Sequence, residues 1–126
     1  MPFKIDTKEK FNVICPADTL TTAIMTDELG KCLENCLTQD VKNVIINLKD
    51  TQNLEDAAAL ELLNWQGKFM EAGVSFVVCE ANDSIQRQFE NLEMDDVLNL
   101  TPTESEAWDL VHMDEIEREL LRGDEI

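Results

Sequence analysis

At 126 residues, 44% apolar with 4 glycines and 3 prolines, the chain is one domain with a single core that needs neither metal nor disulfide support. Its formal charge of −17 excludes nucleic acid and anionic membrane surfaces as partners, because their phosphates would repel it. No apolar run is long enough to span a bilayer.

The first residues, MPFKIDTKEK, lack the apolar stretch of a signal peptide, and the four cysteines show no disulfide-framework spacing. A cytoplasmic protein is expected. Residues 3–7 and 11–15 read as two strands of an antiparallel hairpin, with Phe11, Val13 and Cys15 on one face at period two. Pro16 ends the second. After a polar loop over 17–22 the first helix runs to about Leu37, on the stripe Ile24, Met25, Leu29, Cys32, Leu33, Cys36 and Leu37. Residues 41–48 then form a strand buried on both faces, centred on Val44, Ile45 and Ile46.

The second helix starts near Asp56 and ends at Gly73, which suits a C-terminal cap. Residues 74–79 form another buried strand. The third helix starts at Asn82, Asp83 and Ser84, with Asp83 and Gln86 as a capping box and Ile85, Phe89 and Leu92 as its buried face. A short strand over 97–100 precedes Pro102, and Thr103 with Glu106 caps a last helix carrying Ala107, Leu110 and Val111. Near Met113 the apolar phase slips, so that Met113, Ile116 and Leu120 point opposite to Ala107 and Val111. Asp114 and Glu117 suit the cap of a new helix there. The expected division is a domain over 1–112 and an acidic helical extension over 113–126, which either docks on the domain or bridges to a second chain as a homodimer. The acid excess, steepest over 103–126, reads as a solvated face or as complementary to a basic partner.

The element order β-β-α-β-α-β-α-β-α predicts an α/β fold: a mixed sheet of four to five strands, an opening hairpin followed by βαβ units, packed with about four helices. Catalytic signatures are missing. Cys32 and Cys36 have the i, i+4 spacing of metal ligands, but both lie on an apolar stripe, where cysteine acts as a small hydrophobe. The single histidine, His112, is remote in sequence, and no zinc or thioredoxin-like motif is present. None of the three serines sits in a nucleophile elbow, and no glycine-rich loop cradles phosphate. No enzyme, metal or cofactor is expected.

The segment 47–63, NLKDTQNLEDAAALELL, carries more. It leads from a buried strand through a polar turn into a helix, the position where α/β domains present functional groups. Asp56 there is a natural N-cap. In that helix Ala59, Leu63 and Met70 share the expected core line. Leu62, Phe69 and Trp65 spread to one flank, giving an apolar arc of roughly 220°, wider than a surface helix needs. Either neighbouring helices cover that flank, or Leu62 and Trp65 face a partner.

The same segment resembles the STAS domain family of anti-sigma factor antagonists and sulfate-transporter tails, whose members carry D-L-S-x-V-x-x-I-D-S-S-G-L, then a helix ending E-A-G-G. Asn47 and Leu48 fall on D-L, Leu54 on the apolar residue before the acid, and Glu71, Ala72 and Gly73 on E-A-G, without a gap. Residues 84–95 resemble the S-x-x-V-R-R-x-L-x-x-x-G-L-D segment. This register puts Glu55 on the family's aspartate, Asp56 on the serine that a partner kinase phosphorylates, Ala57 on the next serine or threonine, and Ala58 on the glycine. A shifted register, with Asp56 on the aspartate and Ala57 on the serine, requires an indel before Glu71. The resemblance implies a non-enzymatic, bacterial, transcription-regulating module for partner switching that docks on an anti-sigma factor or kinase-like protein through Glu55, Asp56, Ala57, Ala58, Leu62 and Trp65. Asp56 would stand in for phosphoserine with about one charge against about −1.5 to −2. The alternative that the family offers is a constitutive accessory subunit of an ABC-type membrane transporter.

Overall fold

A computed structural model describes residues 3–123; residues 124–126 of the expected extension lie outside them. The strands are β1 (Phe3–Thr7), β2 (Phe11–Pro16), β3 (Thr19–Leu20), β4 (Asn43–Asn47), β5 (Asn53–Leu54), β6 (Phe76–Cys79) and β7 (Leu100–Thr101). The helices are α1 (Thr22–Thr26), α2 (Glu28–Cys36), α3 (Asp56–Glu71), α4 (Asp83–Asn91) and α5 (Glu104–Gly123). The main sheet runs β1-β2-β4-β6-β7, antiparallel at the opening hairpin and parallel thereafter. This is the mixed α/β sheet that the element order predicts.

The sheet separates two cores. On one face Ile14, Val44, Ile46, Phe76 and Val78 pack under the helices from α1 to α4. On the other, Phe11, Val13, Ile45, Val77 and Cys79 meet Ala107 and Val111 of α5. Val44, Ile45 and Ile46 are fully buried because alternate side chains of β4 feed both cores. Polar side chains inside are paired: among the described residues no buried side-chain nitrogen or oxygen lacks a hydrogen-bond partner.

Several local readings shift. The first helix is two, broken at Asp27 (φ −102°, ψ −93°). The 17–22 loop contains β3, which pairs in parallel with β5 to make a second, two-stranded sheet. Gly30 is required at the break, since a Cβ there would sit 2.5 Å from the Met25 carbonyl oxygen. Gly73 (φ +74°) ends α3 as expected, with the amides of Gly73 and Val74 returning to Met70 and Phe69. The cap of α4 is Asn82 rather than Asp83, its Oδ1 accepting from the Ile85 amide at 2.8 Å. The last strand comes later than expected, because residues 95–98 form a turn after Met94. That turn is tied to α3 by Gln66, which donates to the Val97 carbonyl and accepts from the Asn99 amide.

No helical break occurs at His112. Helix α5 runs unbroken to Gly123, its N-terminus capped by Thr103 Oγ1 from the Glu106 amide and by Glu80 Oε2 from the Glu104 amide. The phase slip has another cause: beyond Val111 the helix docks through polar groups. Asp114 accepts from Ser75 Oγ at 2.7 Å, Glu115 accepts from Asn43 Nδ2 at 2.7 Å, and Arg118 donates to Ser75 Oγ at 2.9 Å.

Candidate functional site

The turn from β4 into α3 is clamped on all sides by backbone bonds. The Leu48 amide donates to the Cys79 carbonyl, those of Gln52 and Asn53 to Asp18, and that of Glu55 to Leu20. Buried Thr51 adds its hydroxyl, 3.1 Å from the Ala17 carbonyl. A loop with its polar groups satisfied in this way holds one conformation, so the residues that it presents are held in place.

Glu55 occupies the N-cap position of α3 in extended conformation, but its carboxylate does not cap that helix. It reaches to α1 instead, accepting from the Thr22 amide at 2.7 Å and the Thr22 hydroxyl at 3.1 Å. Such a carboxylate at a helix start is favoured by the orphan N–H groups there. Asp56 is therefore the first helical residue and not the cap that its type suggests. Its exposed side chain accepts from Gln88 Nε2 at 2.7 Å, and the same nitrogen donates to the Leu54 carbonyl at 2.6 Å. Gln88 thereby links α4 to the start of α3. Asp56, Ser84, Arg87, Gln88, Asn91 and Leu92 line an open groove of about 420 Å³ between these helices.

Of the six residues assigned to partner docking, three are together on the surface: Glu55, Asp56 and Ala57. Ala58 and Leu62 are fully buried and Trp65 is 5% exposed, so these side chains do not face a partner. Helix α3 is rotated from the expected core line. Ala58, Ala59, Leu62, Trp65, Gln66 and Phe69 point inward while Met70 is 62% exposed. The flank is covered because α1 and α2 lie beside α3: Gly30 approaches Trp65, and Lys68 Nζ lies 4.3 Å from the centre of its ring. Gln88 and Arg87 escape the sequence reading because α4 shows only its buried stripe there. The bond of Gln88 to Asp56, 32 positions away, and the place of Arg87 in the same groove are tertiary events.

The thiols are divided. Cys36 and Cys79 are buried, Cys15 and Cys32 half-buried. A hydrogen bond from Cys36 lowers the Cys32 thiol to about 7 and raises Cys36 itself; burial pushes Cys79 up to about 12. Among the described residues no group of three or more histidine, cysteine, aspartate or glutamate side chains could hold a metal, and no helix is long and apolar enough to cross a membrane. Position 56 has no hydroxyl, so phosphoryl transfer to a side-chain oxygen there is chemically closed except to the carboxylate itself.

A family model for the STAS domain matches residues 7–107. No curated protein matches the chain in sequence. Among solved structures, a Thermotoga maritima protein named as a candidate anti-sigma factor antagonist superposes with a TM-score of 0.78 at 15% identity, over 87% of this chain and 94% of its own. An anti-sigma factor antagonist from Mycobacterium paratuberculosis gives 0.75 at 14%, over 87% and 92%. The unphosphorylated form of the Bacillus anti-sigma factor antagonist SpoIIAA gives 0.71 at 14%, over 87% and 96%. At these identities the likeness is one of fold.

Proposed function

The chain belongs to the STAS domain family, and from that premise we propose that it is a regulatory binding module, not a catalyst, which docks on an anti-sigma-type protein through the start of α3. The surface consists of Gln52, Asn53 and Glu55 from the end of the clamped turn with Asp56 and Ala57 of the first turn of α3, all exposed. Asp56 provides a permanent negative charge where the family's phosphoserine would stand, so the module is not switched at that position. The observation that carries this reading is the bond from Gln88 to Asp56 at 2.7 Å, which aims an exposed carboxylate from a rigid turn. A preorganised charge of this kind favours partner selection and fast association.

The test is a binding titration against an anti-sigma-type kinase, comparing wild type with Asp56→Ala and Asp56→Ser. An affinity change of about tenfold, roughly 1.4 kcal/mol, is expected for both variants, with Asp56→Ser alone accepting phosphate from the kinase. Unchanged affinity would reduce Asp56 to a local tether for Gln88.

A further inference from the structure

The second half of α5 is inverted relative to the first. Ala107 and Val111 point into the sheet and are fully buried. One turn later the inward positions are Asp114, Glu115 and Arg118, bonded to Ser75 and Asn43. The outward positions are Met113, Ile116 and Leu120, exposed by 63%, 56% and 66%. At 100° per residue these three lie within roughly 60° of one another and opposite Val111. The polar bonds on the inner face fix the rotation of the helix, so it cannot turn to bury the stripe without breaking them. An apolar line at i, i+3 and i+7 on a pinned helix is one half of a helix–helix contact.

Charge names the other half. Exposed Glu106, Asp109, Glu117 and Glu119 surround the stripe, on a chain of net charge −17. A second copy would bring the same acids against them. Three partly covered side chains also fall well short of the ~800 Å² per partner of a stable interface, so the contact needs electrostatic complementarity. An anionic lipid surface is repelled for the same reason.

We propose that the outer face of α5, centred on Met113, Ile116 and Leu120, binds a basic amphipathic helix of a partner protein, leucine-like residues on the stripe and lysine or arginine over the acids. Helix α5 covers the sheet face opposite to α3, so this partner does not compete for the surface around Asp56. The preformed helix lowers the ordering cost of binding.

The test uses a fluorescent helical peptide of leucine and lysine with one apolar face, titrated with the full chain at several salt concentrations. The comparison is the triple variant Met113→Gln, Ile116→Gln, Leu120→Gln, which keeps charge and helix propensity and whose folding is checked by circular dichroism. Binding that weakens with salt and drops about tenfold or more in the variant supports the proposal. Equal binding by the two chains reports general charge attraction and overturns it, as does absence of binding to wild type. Sedimentation provides the remaining arm: a wild-type dimer that the substitutions dissolve assigns the stripe to a second copy and also overturns it.

Discussion

Two glycines show how the same residue takes opposite roles in neighbouring helices. At Gly30 an added Cβ would meet the Met25 carbonyl oxygen at 2.5 Å, while at Gly67, on the exposed side of α3, nothing lies within 4 Å. The Met25 carbonyl belongs to backbone at the end of α1, so the clash at Gly30 can be relieved only by separating α1 from α2 or shifting both against Trp65. We expect Gly30→Ala to destabilise by about 1–3 kcal/mol, the usual range for overpacking. Gly67→Ala should stabilise by up to about 1 kcal/mol through helix propensity alone. Urea denaturation of the two variants checks both signs at once. Asp56 teaches a related lesson: its residue type suggests a cap, but Glu55 takes the N-cap position and sends its own carboxylate to Thr22.

At the scale of elements, α3 buries a different face from the one that its apolar residues suggest, and the second half of α5 docks through a polar one. In α3 the core face includes Leu62, Trp65 and Phe69, because α1 and α2 supply a second wall beside the sheet. In α5 the terminal half is held by hydrogen bonds in place of apolar burial. Arg118 is central there, reaching Ser75, Glu115 and Asn43. Arg118→Ala leaves Asp114 and Glu115 beside one another without that cation. Part of the loss is screened, since both members of the Arg118–Glu115 pair are more than a fifth exposed. The expected result is faster amide hydrogen exchange after Met113, with the central strands β4 and β6 unchanged, as for a locally opening unit. Unchanged exchange in α5 would mean that the polar network does not dock it.

For the whole molecule, the buried thiol of β6 links the core to alkaline stability. An unfolded cysteine loses its proton near its ordinary 9.0, whereas burial holds Cys79 protonated to about 12. Between those values the folded state binds more protons at Cys79 than the unfolded one, so this thiol's contribution is full below pH 9 and is lost as pH rises toward 12. The slope reaches up to about 1.4 kcal/mol per pH unit, and half-buried Cys15, raised by burial as well, acts in the same direction. Thermal melts from pH 9 to 11 should show this decline, flattened in Cys79→Ala relative to its own stability at pH 9.

Periodicity and breakers alone determined the hairpin, the buried β4 and β6, the parallel connections, the Gly73 cap and the placing of Met113, Ile116 and Leu120 opposite Ala107 and Val111, though not that they continue the same helix. The resemblance around Asn47 to Gly73 located the turn before α3. Only the tertiary structure decided which apolar residues of α3 lie inside, why α5 continues past His112, and what holds the acidic pair. Those outcomes depend on contacts between distant segments: Trp65 against Gly30, Asp114 against Ser75, Glu55 against Thr22 and Asp56 against Gln88. A helix's own sequence reports how much apolar surface it has, but the neighbours that the fold brings beside it determine which part is covered.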